Sequence, residues 1–216
     1  FHAAEARLTR FTQSSELAQV NAQSGQWTPL SNVLWRLVVR SLQLAKATDG
    51  YFDPTILNAI EATGYDRDFA QLAQQTQPTN AVRRPVTPQA TRGCWQQVEL
   101  DPAQHAIRLP AGSRLDLGGI AKGDTAQQAV AFLSQWGPCL VDAGGDLVAG
   151  DAPAGWPGWP VGIADPVDAH NAGDAVNPDL AQLWLKNSAL ATSGVDYRCW
   201  QHNGAQVHHL IDPHTG

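Results

Sequence analysis

Arg114-Leu115-Asp116-Leu117-Gly118-Gly119-Ile120-Ala121-Lys122-Gly123-Asp124 opens like a strand, turns through two glycines and continues with residues suited to a helix. Glycines let the backbone approach a ligand closely, and the N–H groups at a helix start attract an anion. Lys122 adds a positive charge to such a site. The spacing is neither G-x-x-x-x-G-K-[ST] nor G-x-G-x-x-G, so the glycines alone suit a structural turn as well as a phosphate cradle.

On the N-terminal side, Ala3 to about Phe11 has helix-forming composition, and Ser14 or Ser15 is suited to cap a further turn through Leu17 and Val20. Ser31 precedes apolar residues Val33, Leu34, Leu37, Val38, Leu42 and Ala45 at helical spacing, with Gly50 as the stop; that face is expected to pack on a sheet. Residues 71–93, rich in Gln, Thr, Pro and Arg, read as a surface insert. Gln97–Leu100 and Ala106–Leu109 flank Asp101-Pro102-Ala103-Gln104 and predict a hairpin.

On the C-terminal side, a helix is expected over Ala126–Trp136, then short strands at Leu140–Val141 and Leu147–Val148 around a double glycine. Exposed connections are expected over 151–160 and 165–178, with strands resuming near Leu183, Tyr197 and Val207. Helices and strands in mixed order, with hairpins in place of strict alternation, predict an α+β fold with mixed or antiparallel sheets and packed helices. A chain of 216 residues with 43% hydrophobic and 16% charged residues is expected to close one domain, 1–216.

The formal charge of −6, with no run of Lys or Arg, argues against a nucleic-acid partner. No apolar stretch approaches the roughly 20 residues that span a bilayer. Three cysteines, Cys94, Cys139 and Cys199, have no metal-ligand spacing and indicate neither a zinc site nor a disulfide framework.

Several blocks in a fixed order carry a resemblance. Asp116 to Gly123 follows the pattern D-x-G-G-x-A-K-G. Upstream, Arg10 through Asn21 resembles aromatic-x-x-D/S-S-E-L-x-x-x-N, and Thr48-Asp49-Gly50-Tyr51-Phe52-Asp53-Pro54-Thr55 resembles T-G-G-x-F-D-x-T with Asp49 at the first glycine. Downstream stand Gly144-Gly145-Asp146, Thr192-Ser193-Gly194 and His209-Leu210-Ile211-Asp212-Pro213-His214-Thr215-Gly216. Together they span nearly the whole chain, which resembles the ApbE family of FAD:protein FMN transferases.

The resemblance implies magnesium-dependent transfer of FMN from FAD to a threonine of an acceptor protein, releasing AMP. It implies that Phe11, Tyr51, Phe52, Asp53, Asp116, Lys122 and Ile211 contact FAD, that the Gly119 carbonyl is a magnesium ligand, and that His209 takes the hydroxyl proton. A flat ring at Phe11 suits stacking on a flavin, although Phe is also an ordinary core residue; Asp53 before Pro54 is equally suited to cap a turn. In an extended run His209 shares a face with Val207 and Ile211, while His208 and Leu210 point the other way. Asp212 and Thr215 are suited to hold the turn that aims His209.

The family pattern also implies a preceding strand and a following A-D-x-x-x-T helix with the remaining metal ligands, both expected outside this chain. Periplasmic or cell-envelope placement, with membrane attachment through an N-terminal lipid outside the chain, is implied on the same ground. Val195 stands as an insertion after Ser193-Gly194, and His214 replaces a commoner Arg. FAD hydrolysis to FMN and AMP, or flavin binding without catalysis, are the alternatives.

Overall fold

Ser15 and Ser31 each close the start of a helix: the Ser15 hydroxyl accepts from the Ala18 amide at 3.0 Å, and the Ser31 hydroxyl from the Leu34 amide at 3.3 Å. This computed structural model describes residues 1–74, 93–165, 179–195 and 198–215. The first helices are α1 (His2–Leu8), α2 (Glu16–Ala22) and α3 (Asn32–Ala47), followed by the short α4 (Leu57–Ala62) and α5 (Phe69–Gln74). Strands β1 (Trp27–Pro29), β2 (Glu99–Asp101) and β3 (Ala106–Arg108) form an antiparallel sheet in the order β1-β3-β2. The later elements are α6 (Gly118–Leu133), β4 (Leu140–Asp142), β5 (Leu147–Ala149), β6 (Trp159–Ile163), β7 (Ala181–Leu185), β8 (Ser188–Leu190), β9 (Cys199–His202) and β10 (Ala205–His208). Their sheets are antiparallel too, in the orders β4-β5-β8, β6-β7 and β10-β9. The α+β expectation, helices with antiparallel sheets, holds.

Residues 1–121 with 197–216 form one compact unit and residues 122–196 a second; the boundary falls within α6. The first unit is built on the apolar face of α3. Leu34, Leu37 and Val38 are fully buried in a cluster with Leu17 and Val20 of α2, Ile107 of β3, and Leu115 and Leu117. Each such side chain contributes roughly 1.5–3 kcal/mol by leaving water. Trp200 of β9 is also fully buried, and its indole N–H donates to the Thr63 carbonyl at 2.7 Å, which ties the β9–β10 hairpin to the end of α4. In the second unit, Ala126 and Val130 of α6 are buried with Val148 of β5.

Several expectations shift. Helix α6 begins at Gly118 and ends at Leu133, eight residues earlier and three residues shorter at its end than the composition suggested. Two glycines at a helix start carry a propensity penalty, and Asp116 offsets it by accepting from the Gly118 amide. The expected first hairpin strand is shortened by a turn of 3-10 helix over Trp95–Gln97. Trp159 and Pro160, expected in a loop, start β6; among the described residues that strand pairs only with β7, so a proline is tolerated there. Strands β1 and β8 and helices α4 and α5 were not anticipated. The expected insert over 75–92, the connection over 166–178 and the strand start at Tyr197 lie outside the described residues.

Candidate functional site

The glycine turn of the first unit is held from three directions. Asn21 of α2 grips its approach: the Leu115 amide donates to Asn21 Oδ1 at 2.7 Å, and Asn21 Nδ2 donates to the Leu115 carbonyl at 2.9 Å. The Asp116 amide donates to the Pro54 carbonyl at 2.8 Å, and Arg114 forms a parallel bridge with Ile56, so the Thr48–Thr55 block lies alongside. The Asp116 carboxylate completes the support. Its Oδ1 accepts from the Gly118 amide at 2.8 Å, and its Oδ2 lies 2.9 Å from Arg10 Nε.

This support leaves the start of a long helix at the surface. Gly118 and Gly119 are both exposed, and the positive end of the helix dipole lies there. A Cβ on Gly119 would stand 3.1 Å from Phe52 Cε2, so the glycine is the residue that lets the Phe52 ring approach the turn. Among the residues expected to bind flavin, Phe52 and Asp116 therefore converge on the same bend.

Asp53 is buried and locally engaged: Oδ1 accepts from both the amide and the hydroxyl of Thr55, at 2.7 and 2.6 Å. That is the turn-capping geometry its position before Pro54 allowed, with the Thr55 hydroxyl passing the connection on by accepting from the Cys94 amide at 2.6 Å. Tyr51 is 73% exposed and meets the His214 ring edge-on, with centroids 4.9 Å apart. Gly50, at φ +82°, is the residue the tight turn before Tyr51 requires; a Cβ there would also stand 3.4 Å from His214 Cε1. Through His214 the C-terminal segment is thus docked on the Tyr51 turn.

His209 follows β10. The expected alternation is visible in burial: Val207, His209 and Ile211 are partly buried, whereas His208 and Leu210 are exposed. The turn after Ile211 is built by Asp212, whose Oδ1 accepts from the His214 amide at 2.9 Å and whose carbonyl accepts from the Thr215 amide at 3.3 Å. Hydrogen bonds from the His214 amide and then from the Thr215 side chain hold the Asp212 carboxyl below the ordinary Asp range.

Phe11 is partly exposed, with the Arg10 guanidinium carbon 4.3 Å from its ring centroid and Tyr65 tilted beside it at 5.9 Å. Lys122 belongs to the second unit, where its Nζ pairs with Asp146 Oδ2 at 2.9 Å. Asp146 closes the double-glycine loop: its carbonyl accepts from the Ala143 amide at 2.9 Å, and Gly144 and Gly145 take φ +70° and +90°.

Among the described residues no group of three or more His, Cys, Asp or Glu is arranged to hold a metal ion. Gly119 offers one backbone oxygen, and magnesium demands an octahedral shell of them. Water and substrate phosphate oxygens ordinarily fill most of that shell, so a single protein oxygen such as this carbonyl suits one position of it.

Arg10, Asn21 and Glu16 were not singled out as functional. Glu16 supports the start of α3, its two carboxylate oxygens accepting from the Ser31 amide at 2.6 Å and the Ser31 hydroxyl at 2.7 Å. Each of the three stands in or beside the block from Phe11 to Asn21, so the block itself was the signal, and its residues act largely as scaffold.

A family model described as the ApbE family matches residues 1–216. A protein of Treponema pallidum named FAD:protein FMN transferase is 33% identical over 94% of this chain and 57% of its own length. One of Rhodobacter capsulatus with the same name is 30% identical over 93% of this chain and 36% of its own length. Among solved structures, the ApbE protein of Thermotoga maritima aligns with a TM-score of 0.79 at 24% identity, over 99% of this chain and 65% of that one. The apo flavinyl transferase ApbE of Pseudomonas stutzeri aligns with a TM-score of 0.72 at 20% identity, over 99% of this chain and 63% of that one. The chain thus spans less than two thirds of the length of each of these proteins.

Proposed function

Because this chain belongs to the ApbE family, we propose that it belongs to a flavin transferase that takes FAD as substrate and moves its FMN part onto another protein. The observation that carries this reading is the exposed Gly118-Gly119 start of α6, fixed by Asp116 and lined by Phe52. Such a helix start suits a pyrophosphate, and the aromatic residues Phe11, Tyr51 and Phe52 suit the flat rings of a dinucleotide.

In the finer proposal the acceptor is a threonine hydroxyl. Its oxygen attacks the phosphorus of the FMN half, a new P–O bond forms, the bond to the bridging oxygen breaks, and AMP leaves with that oxygen. His209 takes the hydroxyl proton, a role suited to an imidazole and supported by its partial burial just after β10, like that of Val207 and Ile211. Ile211 borders the flavin, and Asp53 shapes the turn that carries Phe52. Positioning and charge neutralisation supply most of the acceleration in such transfers. Magnesium, with the Gly119 carbonyl among its ligands, would neutralise phosphate charge when bound. Placement in the periplasm or cell envelope belongs to the same proposal.

The test is to incubate the intact protein with FAD, magnesium and an acceptor domain and to look for the FMN mass adduct on a threonine. Adduct with AMP release is expected. AMP release that the acceptor does not redirect would favour hydrolysis, and unchanged bound FAD would favour a binding module.

A further inference from the structure

The Arg10 side chain is 7% exposed, and a buried guanidinium is held where partners compensate its charge. Here the partners form a chain. Arg10 Nε meets Asp116 Oδ2 at 2.9 Å, Arg10 Nη1 lies 3.8 Å from Glu61 Oε1, Glu61 Oε2 pairs with Arg114 Nη2, and Arg114 Nε donates to Asn58 Oδ1 at 2.6 Å. Two cations thus alternate with two carboxylates, so the network is balanced. The Arg10 guanidinium carbon lies over two rings that are tilted to each other, 4.3 Å from the Phe11 centroid and 4.6 Å from that of Tyr65. Tyr65 continues to Trp200 of β9 at 5.2 Å.

Resting on the flavin-transfer reading, we infer that Arg10 is a positioning residue of the FAD site, acting through Asp116. By holding Asp116 Oδ2, it keeps Oδ1 on the Gly118 amide, and so sets the start of α6 where the pyrophosphate would lie. A delocalised guanidinium suits this, since Nε must serve the carboxylate while Cζ lies over two rings; lysine supplies the charge without the planar group. The turn meets substrate and transition state alike, so its misplacement weakens FAD binding more than it slows the bound complex.

The experiment measures FAD affinity of the intact protein by flavin fluorescence, independently of transfer, for Arg10→Met, Arg10→Lys, Asp116→Asn and the two double variants, together with kcat and KM. Arg10→Met is expected to raise Kd and KM for FAD about tenfold or more with kcat within about threefold, and Arg10→Lys to recover part of the loss. In the Asp116→Asn background, either Arg10 substitution is expected to change Kd by less than about twofold, the non-additivity of residues acting in series. Unchanged FAD affinity in folded Arg10 variants, or effects that add to that of Asp116→Asn, would overturn the assignment. If Arg10→Met does not fold, Arg10→Lys and its double variant decide by the same comparison. Should the unsubstituted protein fail to bind FAD, the flavin reading itself falls and the assignment with it.

Discussion

Asn21 and Leu115, 94 residues apart in the chain, exchange two hydrogen bonds through one side-chain amide, at 2.7 and 2.9 Å. Both are buried, and the pair fixes the segment that delivers Asp116 and the glycine turn. Asn21→Leu would strand two buried backbone groups, each costing about 1–3 kcal/mol. The urea midpoint should fall by an amount equivalent to about 2–5 kcal/mol, with the slope unchanged.

Two glycine substitutions should separate binding from folding. At Gly119 an alanine gains helix propensity of up to about 1 kcal/mol while pressing on the Phe52 ring, which stands 3.1 Å from the new Cβ. Thermal stability should change little, and FAD affinity should fall. At Gly93 a Cβ would collide with the buried Asp53 carboxylate that holds Thr55. Gly93→Ala should therefore lower stability by about 2–4 kcal/mol, read from the same denaturant titrations.

The turn after His209 should respond to acid. The Asp212 carboxyl is held below its ordinary range by the His214 amide and the Thr215 side chain. A depressed folded-state pKa means that the turn's contribution is whole above about 3.9, the unfolded value, and is lost as pH falls through the lower folded value. The His214 amide resonance should titrate with a midpoint below about 3.9, and Asp212→Asn should abolish that titration.

His209→Gln should leave FAD affinity intact and slow transfer by about 10²–10⁴-fold, the usual contribution of a positioned base. Stopped-time assays of adduct formation at saturating FAD measure this. A variant that transfers FMN at the original rate removes His209 from the mechanism.

Local patterns in the sequence carry much of this architecture. Ser31 and the apolar spacing of Leu34, Leu37 and Val38 announce α3, and alternation after Val207 assigns His209 and Leu210 to opposite sides, as their burial shows. What stayed hidden depends on partners distant in the chain. Nothing near Asn21 reveals Leu115, and nothing near Arg10 reveals that it pairs with Asp116 or rests against Tyr65. The helix expected over Ala126–Trp136 starts too late because glycine disfavours helix, whereas the Asp116 carboxylate holds the Gly118 amide where α6 begins. Strand β1, three residues including Pro29, has too little length for a periodic signal and forms by pairing with β3. The expected flavin residues Phe52 and Asp116 converge on the glycine turn, and Tyr51 meets the C-terminal turn through His214.

If the proposed function is correct, a dinucleotide lies across the glycine bend with the His209 imidazole beside the phosphorus of its FMN half. A crystal structure of the intact protein with bound FAD measures this directly. Pyrophosphate oxygens are predicted within about 3 Å of backbone N–H groups at the start of α6, with the His209 ring facing the FMN phosphorus. A pyrophosphate bound elsewhere, or a His209 ring turned away from it, would contradict the account.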